Sequence, residues 1–87
     1  MKTVFLLMAR YEGLPVIPLD TVCRDFFSHL TPTKFVEKVR AGELRLPLVR
    51  LGTGQKAARG VALNDLAAYL DAQMVAAKRD LENLVGT

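Results

Sequence analysis

Seven basic side chains crowd one short stretch of the chain. Lys34, Lys38, Arg40, Arg45, Arg50, Lys56 and Arg59 lie between positions 34 and 59, against only Glu37 and Glu43. That segment is net +5; the five cations and seven carboxylates elsewhere leave the remainder net −2. A local basic surface on a nearly balanced remainder has the electrostatics to hold a polyanion, most often nucleic acid. A solvated lysine and arginine face carries the same charge, so the elements that present these residues have to decide between the two.

No catalytic set accompanies the charge. The sequence has no Ser/His/Asp or Cys/His group that can be placed together, no His-Glu-x-x-His motif, and no carboxylate pair with a pocket between. His29 and Cys23 are the only residues of their kinds, which argues against a metal centre, a disulfide framework and a bound cofactor. Gly52-Thr53-Gly54-Gln55-Lys56 lacks the spacer and the Gly-Lys-Ser/Thr ending of a phosphate-binding loop. An enzyme is the least expected class.

Eighty-seven residues, half of them apolar, make one small folded domain spanning 1–87. The opening Met-Lys-Thr-Val-Phe-Leu-Leu-Met-Ala-Arg is too short in its apolar run for a secretion signal, and nothing approaches a membrane span. A soluble, cytoplasmic protein without membrane contact is expected.

The elements that carry the basic residues can be read from caps and spacing. Thr31 is a helix cap and Pro32 a first helical residue, a strong start signal. Phe35, Val36 and Val39 then face inward, while Thr33, Lys34, Glu37, Lys38 and Arg40 lie on or beside the outer face, and Gly42 stops the helix. An earlier helix begins at Asp20, read as its cap, with Val22, Cys23, Phe26, Phe27 and Leu30 along one apolar stripe. In that stripe Cys23 reads as a small buried hydrophobe and the two phenylalanines as core. Two short helices joined by about three residues have the sequence form of a helix-turn-helix, whose second helix enters the DNA major groove.

A hairpin follows. Pro47 to Leu51 reads as a strand, Gln55 to Arg59 as a polar arm, and Gly60 to Leu63 as the returning strand. After a helix-turn-helix such a hairpin is a wing, and its basic tip would lie along phosphate or in a minor groove. Pro15 to Pro18 is extended and suits an edge strand. Thr3 to Tyr11 is open between a buried strand and a helix. Thr3 as a cap and Glu12-Gly13-Leu14 as a stop favour the helix. Asn64 is read as the cap of a last helix running from about 64 to 84. Its apolar stripe is Leu63, Leu66, Leu70, Met74, Ala77, Leu81 and Leu84. A small domain can bury only the first half of it, which leaves the second half to pair with another copy. The fold expected is α+β: a small winged helix-turn-helix with a long C-terminal helix.

With these residues in place, the chain resembles the pyocin activator family, PrtN, of bacteria and their prophages. The matching stretches are Phe5-Leu-Leu-Met-Ala-Arg-Tyr11, Ile17-Pro-Leu-Asp20, Asp25-Phe-Phe27, His29-Leu-Thr-Pro32, Leu46-Pro-Leu-Val-Arg50, Gln55-Lys-Ala-Ala-Arg-Gly-Val61 and Asp65-Leu-Ala-Ala-Tyr-Leu-Asp71. The Gln-Lys-Ala-Ala-Arg-Gly segment is the most specific. The layout is similar, more loosely, to the winged helix-turn-helix of AlpA-type regulators and phage excisionases. The resemblance implies a transcriptional activator that binds repeated promoter boxes upstream of bacteriocin (phage-tail-like) genes. It also implies that a repressor removed after DNA damage holds down the activator's own expression.

The resemblance transfers no individual contact residue. The expected interface rests on placement: Thr33, Lys34, Glu37 and Lys38 toward base edges or flanking phosphates, Arg40, Arg45 and Arg50 toward phosphate, and Gln55, Lys56 and Arg59 on the wing. Double-stranded DNA is the expected partner, with RNA polymerase and a second copy of the chain beyond it, and association with the nucleoid when DNA is bound. Two rival readings share much of this sequence. One is an architectural, excisionase-type protein that bends DNA without activating transcription. The other is a protein-interaction adaptor that uses the C-terminal helix.

Overall fold

The structure, a computed structural model, describes residues 2–52 and 58–85. It is α+β and winged helix-like. Four helices surround a three-stranded antiparallel sheet, in the order α1 (Thr3–Arg10), β1 (Val16–Pro18), α2 (Leu19–Phe26), α3 (Pro32–Arg40), β2 (Val49–Arg50), β3 (Arg59–Ala62) and α4 (Leu63–Val85). The sheet order is β1-β3-β2, so β3 is central and the proline-flanked β1 is an edge.

The open question at Thr3 to Tyr11 resolves as helix. It ends where Gly13 donates its N–H to the Met8 carbonyl at 2.8 Å, and where Gly13 takes a positive φ of 76°. Gly42 ends α3 in the same way, with φ 79°. A residue with a Cβ is strained in that left-handed region, which is why glycine is the common stop.

Three cap readings change. Asp20 does not cap α2: Pro18 holds the cap position, the helix starts at Leu19, and Asp20 sits exposed in the first turn. The proline fixes an extended backbone that passes straight from β1 into the helix. Asn64 is likewise the second residue of α4, because Leu63 already donates its N–H to the Pro15 carbonyl at 2.9 Å. Thr3 lies inside α1 instead of capping it, and its hydroxyl donates to Asp71 on α4. The strand expected over Pro47 to Leu51 is only Val49–Arg50. Pro47 has no N–H to give a ladder.

The core lies between the sheet and the helices. Phe35, Ile17, Leu46, Leu66, Val22 and Val61 are its largest fully buried side chains. Phe27 ties the helix pair to α4, its ring edge-on to Phe35 at 5.0 Å and tilted against Tyr69 at 5.7 Å. Cys23 is buried in the same cluster, and burial pushes its thiol pKa up, as expected of an inert structural cysteine.

At Gly60, β3 passes close to β1. A Cβ there would lie 2.7 Å from the Ile17 carbonyl oxygen. No described helix is long and apolar enough to cross a membrane.

Candidate nucleic-acid interface

The helix α3 is built as its residues dictate. The Thr31 side chain accepts the backbone N–H of Lys34 at 3.2 Å, and Pro32 opens the first turn. Phe35 and Val36 turn into the core, and Val39 packs against it. Thr33, Lys34, Glu37 and Arg40 are left exposed. The turn before α3 is held by the Leu30 N–H donating to the Phe27 carbonyl at 2.8 Å.

The sheet then brings the hairpin to this helix. Arg59 opens β3, directly opposite Arg50 on β2. Arg59 also joins α3 in lining an open groove of about 300 Å³, with Leu19 and Val36 at its base and Thr33, Glu37 and Arg40 along it. Four of the sequence-expected residues, Thr33, Glu37, Arg40 and Arg59, therefore meet at one place, and Arg50 stands across the strand from it.

The remaining expected residues divide. Lys34 pairs with Glu37 at 3.5 Å and Lys38 with Glu43 at 3.2 Å, so both lysines are partly neutralised on the helix. Arg45 lines a different cleft of about 420 Å³, against Asp65, Tyr69 and Gln73 of α4. Gln55 and Lys56 lie outside the described residues.

The ion pairs among the described residues use Arg10, Arg24, Lys34 and Lys38. Arg40, Arg50 and Arg59 form no ion pair among the described residues; Arg40 and Arg59 line the groove beside Glu37, and Arg50 lies opposite Arg59 across the strands. Two unpaired guanidiniums in the groove and a third across the strand suit a ligand that supplies several negative oxygens. Arginine binds phosphate through a planar fork of donors.

Sequence reading did not anticipate the apolar base of the groove. Leu19 carries no polar signal and lies on α2, next to the groove only after folding. It also missed the clamp behind the site. The Tyr11 hydroxyl donates to Asp25 Oδ2 at 2.6 Å, and Arg10 and Arg24 reach the same carboxylate at 3.5 and 3.2 Å. The Tyr11 bond, followed by Arg24, holds the Asp25 carboxyl below its usual range. Burial first, and then Asp25, push the Tyr11 hydroxyl up to about 12. This clamp fixes α1 against α2, and through α2 the start of α3.

A family model described as pyocin activator protein PrtN matches residues 3–77. The chain belongs to the pyocin activator family. Its members are regulatory proteins, which agrees with a groove that presents Arg40 and Arg59. The match spans all four helices up to Ala77 and includes every residue of the groove. No curated protein and no solved structure matches the chain.

Proposed function

We propose that this pyocin activator family protein is a sequence-specific DNA-binding transcriptional activator of bacteriocin genes, acting at promoter boxes. The observation that carries the reading is the unneutralised trio Arg40, Arg50 and Arg59 at the junction of α3 and the hairpin. In this reading α3 enters the major groove by its N-terminal end, so Thr33, Lys34 and Glu37 meet base edges. Glu37 suits the cytosine amino group, and DNA phosphate takes over the pairing that Glu37 now gives Lys34. Arg40, Arg50 and Arg59 hold the backbone on either side, and Lys38 supports them from the last turn of α3. Gln55 and Lys56 extend the same line from the hairpin. Arg45, in its separate cleft, serves the flank of the domain, where RNA polymerase is a fitting partner.

The test is binding of labelled duplex DNA at several salt concentrations. Replacing Arg59 by Ala should weaken binding to all sequences and reduce the salt slope by about one. Replacing Glu37 by Ala should instead relax the choice of base at one position, by roughly 1–3 kcal/mol. If neither the affinity, the slope nor the base preference changes, the interface is elsewhere.

A further inference from the structure

The outer half of α4 stands away from the domain. The Thr3 hydroxyl bond to Asp71 is the outermost side-chain hydrogen bond between α4 and the rest among the described residues. From there to Val85 the helix continues for 14 residues, about 21 Å at 1.5 Å per residue. This projection accounts for the elongated outline of 53 × 30 × 18 Å.

It is not a polar projection. Met74, Leu81 and Leu84 are 49, 61 and 81% exposed, and with Ala77 they follow one stripe at spacings of three, four and three. Arg79 and Asn83 lie on the opposite face at helical spacing. The stripe continues the face that buries Leu66 and Leu70 nearer the sheet, so a partner reaching down it would stop at the domain. Helices are held mainly by burying such a stripe, and this half buries almost none of it.

We propose that the stripe pairs with the same segment of a second copy, the two helices antiparallel. Side-chain volume selects the direction. A parallel pair would set Ala77 against Ala77 in the middle of the seam and leave it thin. The antiparallel pair sets Ala77 against the second copy's Leu81, and Met74 against its Leu84, so each layer holds one smaller and one larger side chain. It also brings each helix end level with residue 73 of the other, just short of the domain.

Charge agrees on one flank and supplies a test on the other. Lys78, beside the seam, comes within a turn of the second copy's Glu82, and the two such contacts that the two-fold makes outweigh the one approach of Lys78 to the second copy's Lys78. Asp80, on the other flank, faces the second copy's Asp80. The seam is short, so the pairing is weak and depends on concentration. The inference stands on α4 alone and does not depend on what the basic groove binds.

The experiment is sedimentation equilibrium of the full chain from about 1 to 200 µM. The mass should rise from one chain toward two. Leu81→Glu should weaken association about a hundredfold or more, because each dimer loses that leucine twice, with the helical circular dichroism of the domain retained. Asp80→Asn should strengthen association by a few-fold at low salt and have no effect at high salt.

Direction is read by disulfide trapping. A mixture of Met74→Cys and Leu84→Cys chains should cross-link to each other, and Leu84→Cys alone should not. A single-chain mass at 200 µM, or an unchanged mass in Leu81→Glu, overturns the pairing. Rapid cross-linking of Leu84→Cys with itself overturns the antiparallel direction.

Discussion

Arg50 and Arg59 are register partners across β2 and β3. Side chains directly opposite in an antiparallel pair share a face, with Cβ atoms about 4.5–5.5 Å apart, and like charges placed so are destabilising. The protein keeps two guanidiniums there without a described carboxylate to separate them. An anion between them would turn that repulsion into a shared contact. The pair belongs to the base of the hairpin, where β3 also brings Arg59 to α3.

A substitution at this pair should therefore move stability and binding in opposite directions. Arg50→Ala should leave thermal stability unchanged or raise it by about 0.2–1 kcal/mol, while DNA affinity falls and the salt slope drops by about one. Thermal unfolding beside an anisotropy titration of the same variant checks both signs.

The core beneath α3 should be unforgiving. Phe35 is fully buried and stacks edge-on against Phe27. Phe35→Ala should cost about 3–5 kcal/mol, a large part of the stability of a domain of this size. Urea unfolding would show the loss as a midpoint shift with little change in slope.

Caps offer a milder handle on the same helix. Thr31→Ala removes the acceptor for the Lys34 N–H and should destabilise the domain by about 1 kcal/mol. Restoring a cap with Thr31→Ser should return most of that, as measured by the urea midpoint.

The clamp behind the site should respond to pH at both ends. The folded Tyr11 pKa is raised to about 12, above its ordinary value of 10, so its contribution is complete below 10 and is lost as pH rises from 10 through 12. The Asp25 carboxyl is held below its usual range. Its contribution is present above the ordinary carboxylate pKa and is lost as pH falls through the lowered value. Tyr11→Phe should remove the alkaline step and bring the Asp25 carboxyl back toward its ordinary range, with a melting temperature lower by a few degrees at neutral pH. Thermal melts across pH, with carboxyl titration by NMR, separate the two groups.

What was legible in the sequence was local chemistry. Thr31-Pro32, Gly13 and Gly42 mark helix ends by backbone rules that act within a few residues, and each stands where those rules put it. The failures at Asp20 and Asn64 have one cause. Both helices begin directly off a strand, so the chain needs no separate capping residue, and the residue before each helix is set by sheet pairing with a distant segment. Legibility at the candidate site divided in the same way. The outward set on α3 followed from helical spacing. Its meeting with Arg59 over Leu19, and the diversion of Arg45 to another cleft, depend on contacts between elements far apart in the chain. The pairing of Lys34 with Glu37 was open to the three-residue spacing, yet spacing alone does not say which cations stay unneutralised.

The groove between α3 and the hairpin is proposed to read DNA. The most direct test selects duplexes from a random pool with this protein, then follows binding of the enriched sequence and a scrambled control by fluorescence anisotropy at several salt concentrations. The expected result is one enriched motif bound at least about a thousandfold tighter than the control, with both preference and salt slope reduced in the Arg40→Ala, Arg59→Ala double variant. Binding with no motif, or a motif read equally well by the double variant, would contradict it.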